Sequence, residues 1–187
     1  NSNINVDETY NYIISRSKSY GVTASYQPIF SNLGNIIFNN QDLIYTRKIN
    51  SKEMHVNRRL NVWGSGGAHK TYFKKIDSII IEIFNSPIES QPKGIADMGC
   101  GDGMFLNYLY SLISNNTLRG QHLTEFPLTL IGADLNQEAL DVASKNLLDS
   151  KIHCNFLIAD ISNPDEYKDN LKSNFNININ ELFHVRS

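Results

Sequence analysis

The sequence predicts an α/β domain: a parallel sheet with helices on its faces, preceded by a small N-terminal extension. Three observations lead there. From Gly94 onward, short apolar runs alternate with longer segments whose apolar residues recur at helical spacing, the order expected of strand–helix–strand units. Three alternating glycines, Gly99, Gly101 and Gly103, stand between the first apolar run and the first helical segment. Aspartates stand at the ends of three successive apolar runs: Asp97, Asp134 and Asp160.

Residues 95–98 read as a short buried strand closed by glycines, and residues 105–113 are apolar at helical spacing. A polar loop is expected over 114–127. Residues 128–133 form a second buried strand ending at Asp134, and 137–148 a helix with Ala139, Leu140, Ala143 and Leu147 on one face. A third strand spans 152–159 and ends at Asp160, a short helix covers 165–171, and a fourth strand covers 181–185. Residues 174–180 alternate strictly between Asn and apolar residues, which fits an extra strand or a biased loop equally.

Upstream, residues 9–19 place Tyr10, Ile13 and Ile14 as in a short helix. Residues 35–38 and 42–46 are apolar and aromatic runs around Asn39-Asn40-Gln41, the pattern of two short strands and a turn. Residues 1–60 are therefore read as an extension, a lid or substrate-side element, and 61–187 as the core. The glycines within 63–69 argue for a tight loop. An amphipathic helix is expected over 68–85, with Tyr72, Phe73, Ile76, Ile79, Ile80 and Ile83 on its apolar stripe, and Pro87 and Pro92 ending it.

Composition narrows the function. Hydrophobic residues make up 41%, enough to bury a core. The net charge of −2, from 17 basic and 19 acidic side chains, gives no reason to expect nucleic acid as the main partner. Runs such as Ile79-Ile80-Ile81 are far too short to span a bilayer, and residues 1–10 lack the basic-then-apolar pattern of a secretory signal; no membrane partner is expected. Cys100 and Cys154 make neither a disulfide framework nor a metal-type spacing, and a reducing, cytoplasmic setting fits best. No His/Cys/carboxylate cluster has metal spacing, so no metal site is assigned.

Ligands of parallel sheets sit at the carboxyl ends of the strands, where the three acids fall. Glycines there let the chain turn sharply and let a ligand approach the backbone. A dinucleotide site needs a third glycine where Met104 stands, and a pyrophosphate would be repelled by Asp97 and Asp102. A ligand with cationic groups, such as the ammonium and sulfonium of S-adenosylmethionine, suits this acidic loop. Asp134 could accept hydrogen bonds from both ribose hydroxyls of either ligand class, or could simply cap the following helix. It lies 31 residues beyond Gly103, more than the roughly 20 of dinucleotide folds. Asp160 could accept from an adenine amino group, with Ile161 and Leu135 on the two faces of the ring, or could serve the turn near Ser162-Asn163-Pro164.

These residues closely resemble the class I S-adenosylmethionine-dependent methyltransferases. Asp97-Met98-Gly99-Cys100-Gly101-Asp102-Gly103 looks like the family's acidic-glycine motif, Asp134 its ribose acid, and Asp160-Ile161 its adenine-side motif. The resemblance covers roughly residues 94–187 and implies a Rossmann-like parallel sheet of methyltransferase type. It also implies S-adenosylmethionine as cofactor, bound by Asp97, Gly99, Cys100, Gly101, Gly103, Asp134, Leu135, Asp160 and Ile161. The family's sheet normally has more strands than can be read here, so the chain is expected to be part of a longer polypeptide or multienzyme.

A narrower resemblance lies upstream. Asn61-Val62-Trp63-Gly64-Ser65-Gly66-Gly67-Ala68-His69, followed by Tyr72-Phe73, is similar to a segment before the cofactor motif in methyltransferase domains of polyketide and mixed peptide–polyketide assembly lines. His184-Val185-Arg186-Ser187 would match their fourth strand. The resemblance implies an acyl substrate carried on an acyl carrier protein and methylated on carbon or oxygen. His69 is the candidate catalytic base, since a histidine near neutral pKa suits proton removal, or else a solvent-facing residue at a helix start. His184 fits packing at a strand end, and His55, His122 and His153 fit the surface. Cys100 reads as a small packing residue rather than a nucleophile. Trp63 would cover the cofactor or anchor its loop. A non-catalytic pseudo-methyltransferase or docking module of a megasynthase stays open as an alternative, and an NAD-dependent oxidoreductase is disfavoured by Met104 and the acids.

Overall fold

The computed structural model describes residues 7–44 and 54–186, with every side chain among them except those of residues 15, 18, 19, 43 and 66–71. The chain divides into two compact units, one ending at Ala68 and the other beginning at His69.

The first unit is helical. Asp7 caps α1 (Glu8–Ser25) by accepting the Tyr10 N–H at 2.8 Å. The short helices α2 (Gln27–Phe30) and α3 (Leu33–Phe38) and a 3₁₀ turn (Gln41–Ile44) follow. Two expectations fail here. Residues 35–38 are helical and 41–44 form a 3₁₀ turn, so the paired strands are absent; residues 45 and 46 lie outside the described residues. Short apolar runs carry no period long enough to separate strand from helix. The tight loop over 63–69 is also absent, because α4 (Arg58–Phe73) runs straight through it. Gly64 instead gives close approach: a Cβ there would meet Val22 N at 2.5 Å and Gly21 C at 2.8 Å. Asn61 Nδ2 donates to the buried Ser25 Oγ at 3.0 Å and fixes the same contact.

The second unit is the expected Rossmann-like α/β fold. The single helix expected over 68–85 is interrupted: α4 ends at Phe73, a 3₁₀ turn covers Lys74–Ile76, and α5 spans Asp77–Asn85. Strand β1 (Gly94–Met98) leads into α6 (Met104–Asn116) and the one-turn helix α7 (Leu118–Gln121). Then come β2 (Thr129–Asp134), α8 (Gln137–Asp149), β3 (Asn155–Ile158), α9 (Pro164–Phe175), a 3₁₀ turn (Ile179–Glu181) and β4 (Leu182–Val185). Residues 174–180 thus hold a helix end and a turn, not an extra strand.

All strand pairs are parallel and the order is β3-β2-β1-β4. The chain adds strands on one side of β1 and then crosses to the other, which puts the topological switch between β1 and β4. Adjacent strand residues serve opposite faces. Ile95 and Leu130 join α5, α6 and α8 in one core containing Ile80, Phe84, Leu106, Leu109 and Leu147. Ala96 and Ile131 face α9, packing with Tyr167 and Leu171. Burial on both faces explains why β1 and β2 read as continuous apolar runs.

The loop expected over 114–127 is more ordered than its polarity suggests. Thr117 caps α7 through the Gly120 N–H, and Asn85 Oδ1 accepts the Leu118 N–H at 2.7 Å. Arg119, only 3% exposed, donates from Nε to Gln91 Oε1 at 2.8 Å and from Nη2 to Pro92 O at 3.1 Å. Burial lowers its pKa. This network lies just before β1 begins, at the end of the sheet opposite the glycine loop.

Candidate functional site

The turn from β1 to α6 is built by its glycines. Gly99, Gly101 and Gly103 have φ of 86°, 54° and 74°, in the left-handed region that side chains with a Cβ resist. The Gly99 and Cys100 N–H groups both donate to Ala133 O, at 2.7 and 3.0 Å, which ties the turn to the end of β2. The three positions differ in surroundings. A Cβ on Gly103 would strike Leu147 Cδ1 at 2.6 Å, so Gly103 lets the start of α6 lie against α8. A Cβ on Gly99 or Gly101 would meet nothing within 4 Å; these two glycines border open space.

Gly99 also lines a pocket at the carboxyl ends of the four described strands. Met98 and Gly99 line it from β1, Asp134 and Leu135 from β2, Ala159, Asp160 and Ile161 from β3, and Arg186 from β4. It is an open pocket with a cavity volume of about 130 Å³. Leu135 is 44% and Ile161 50% exposed, so two apolar side chains line it beside Asp160.

Asp134 orients itself through backbone donors. Its Oδ2 accepts the Gly101 N–H at 3.2 Å and its Oδ1 the Asn136 N–H at 2.9 Å. Helix α8 has Asn136, not Asp134, as its N-cap. Asp160 Oδ1 accepts from Ser162 N and Oγ at 2.8 and 2.7 Å, so the turn role exists alongside the pocket position; Asn163 caps α9.

Five of the nine residues picked from the sequence for the cofactor therefore share one pocket: Gly99, Asp134, Leu135, Asp160 and Ile161. The other four lie around it. Asp97 is fully buried at the end of β1, and Gly101 and Gly103 shape the turn. Cys100 is buried in the core beside Gly132, where a Cβ would come within 3.2 Å of its Sγ. Burial, helped by the neighbouring Asp97, pushes the Cys100 thiol pKa far up, which suits packing rather than nucleophilic chemistry. Among the described residues the Tyr167 hydroxyl, on the other face of the sheet, makes no hydrogen bond; burial and then Asp97 push its pKa up to about 12.

His69 lies on the helical backbone of α4, but its side chain is outside the described residues. His184 is exposed, with Nε2 3.0 Å from Ile179 O and its ring edge-on to Tyr167. Among the described residues no three His, Cys, Asp or Glu side chains are grouped to hold a metal ion, and no helix is long and apolar enough to cross a membrane. Sequence reasoning missed Met98, Ala159 and Arg186. For Arg186 the sequence carries a signal, a basic residue directly after the fourth apolar run.

The family described as the AprA MT2-like domain matches residues 53–187, well over half of the chain. No curated protein matches.

Proposed function

This chain belongs to the AprA MT2-like domain family of methyltransferases, and on that premise we propose that it binds S-adenosylmethionine in the pocket at the strand ends and methylates an acyl substrate held on an acyl carrier protein. The observation that carries the reading is the placement of Gly99, Asp134, Leu135, Asp160 and Ile161 around one pocket in strand order. The residues fit the cofactor. Leu135 and Ile161 offer two apolar faces for an adenine, with Asp160 at its edge. Asp134 keeps acceptor capacity for ribose hydroxyls, since a carboxylate has about four lone-pair sites and two backbone donors use only part of them. The open space beside Gly99 and Gly101 admits the methionine portion against bare backbone. Asp97, buried beneath, favours the cationic ammonium and sulfonium through its charge.

The bound cofactor supplies an electrophilic methyl group on a sulfonium. The chain's own part is to hold and orient it, which in group transfer provides much of the rate. His69 is the proposed base that takes the acceptor's proton.

The direct test is calorimetry with S-adenosylhomocysteine, paired with transfer of labelled methyl from S-adenosylmethionine to a carrier-bound acyl chain. Binding with transfer supports the proposal. Binding without transfer assigns a non-catalytic role to the domain, and the absence of binding by the folded chain removes the cofactor reading altogether.

A further inference from the structure

We infer that Arg186 binds the α-carboxylate of the cofactor's methionine portion. The inference rests on the cofactor reading above and extends it to a residue that neither the glycine motif nor the strand-end acids would select. Three observations carry it.

Among the described residues that line the pocket, Arg186 alone has a positive side chain. Its guanidinium makes no hydrogen bond or ion pair among the described residues, although Asp134 and Asp160 line the same pocket. Those acids are already engaged locally, Asp134 with the Gly101 and Asn136 N–H groups and Asp160 with Ser162. The guanidinium thus keeps its N–H donors open to a ligand in the pocket.

The order of the lining supplies the third observation. The sheet runs β3-β2-β1-β4, so the pocket passes from Asp160 and Ile161, through Asp134 and Leu135, to Met98 and Gly99, and ends at Arg186. An adenosyl ligand with its base at β3 and its ribose at β2 must direct its amino-acid end toward β1 and β4. The carboxylate is the only anion of that ligand. A guanidinium matches a carboxylate with two parallel N–H···O bonds, where it would only repel the sulfonium and ammonium.

A carboxylate could also arrive on the acceptor, and the test separates the two sources. Calorimetry on the full chain compares S-adenosylhomocysteine with its decarboxylated analogue, which keeps the amine and the thioether. The native chain should prefer S-adenosylhomocysteine by about tenfold or more, the scale of one charge-assisted pair. Arg186→Ala should abolish that preference by weakening S-adenosylhomocysteine alone, and Arg186→Lys should keep part of it. Thermal unfolding of both variants reports on folding. Equal weakening of both ligands, or a preference that survives Arg186→Ala, overturns the inference while leaving the cofactor reading intact. Unchanged affinity for S-adenosylhomocysteine with a raised requirement for a carboxylate-bearing acceptor overturns it in favour of the acceptor. If the native chain binds neither ligand, the cofactor reading fails, and this inference with it.

Discussion

Asp134 and Gly101 are joined by one hydrogen bond, in which Asp134 Oδ2 at the end of β2 accepts the Gly101 N–H at 3.2 Å. The link couples the second strand to the glycine turn after the first. The acid proposed for the ribose therefore also holds the loop proposed for the methionine portion.

Removing that carboxylate should damage both functions. Asp134→Ala loses two charge-assisted backbone hydrogen bonds, each worth about 1.5–3 kcal/mol when one partner is ionised. Partial exposure and water replace some of this, so a loss of about 1–3 kcal/mol in unfolding free energy is expected, with S-adenosylhomocysteine affinity falling by at least about tenfold. Asp134→Asn keeps an acceptor oxygen and should retain more stability than affinity. Denaturant unfolding and calorimetry, run together, check the split; full affinity in Asp134→Ala would disprove the ribose assignment.

Gly101 and Gly103 should respond differently to the same substitution. Both have positive φ, which costs an alanine about 1–2 kcal/mol. Only Gly103 adds a clash, because its Cβ would strike Leu147 Cδ1 and come within 3.1 Å of Ala143 Cβ. Gly103→Ala is expected to destabilise the fold by about 2–4 kcal/mol. Gly101→Ala should cost only the backbone strain, yet its methyl enters the space offered to the ligand. The expected outcome is greater loss of stability for Gly103→Ala and, among folded protein, greater loss of cofactor affinity for Gly101→Ala.

The second unit was legible in the sequence because three kinds of signal agree there. Strands buried on both faces read as apolar runs, glycines mark the turn, and acids mark the strand ends. In the first unit the same residue types misled. Glycine is ambiguous between freedom of φ and absence of a Cβ; at Gly99 the first matters, whereas at Gly64 the second does, and it lies inside a helix against Gly21 and Val22. The pairing of Asn61 with Ser25 is likewise a long-range contact that no local pattern announces. Arg119 lies in the stretch read as a polar loop, yet it is buried with Gln91, and each satisfies the other.

That buried pair offers a control for the site mutations. Arg119 also places its guanidinium 5.9 Å from the Phe84 ring centre, and Gln91 Nε2 donates to Phe84 O and Ser86 O at 3.0 and 2.6 Å. Arg119→Ala breaks the network and leaves Gln91 Oε1 buried without its donor, for an expected loss of about 2–4 kcal/mol in unfolding free energy. The network stands at the end of the sheet opposite the pocket, so cofactor affinity at a temperature where the variant is folded should not change. A large change in calorimetric affinity would show that the two ends of the sheet are coupled.

Alkaline pH should weaken the fold through the buried Cys100 thiol, the partly buried Cys154 thiol and the buried Tyr167 phenol. Burial raises Cys154 from its usual 9.0 to about 12, and burial followed by the Asp97 charge raises Tyr167 from 10.0 to about 12; Cys100 is raised as well, chiefly by burial. In the native state these groups stay neutral where the unfolded chain has already released its protons. Above pH about 9 the unfolded state binds fewer protons than the native state, so unfolding free energy falls as pH rises. The contribution is complete below pH about 9 and is lost progressively toward pH about 12. Urea midpoints measured from pH about 7 to about 11 should decline across the upper half of that range, and a Cys100→Ala, Cys154→Ala double variant should decline less steeply. Since lysines titrate in the same range, the comparison between the two proteins decides: identical slopes would show that the thiols are not held neutral by burial. The buried Cys100 thiol should also resist alkylation near pH 8, where only unfolding brings it into reach as a thiolate.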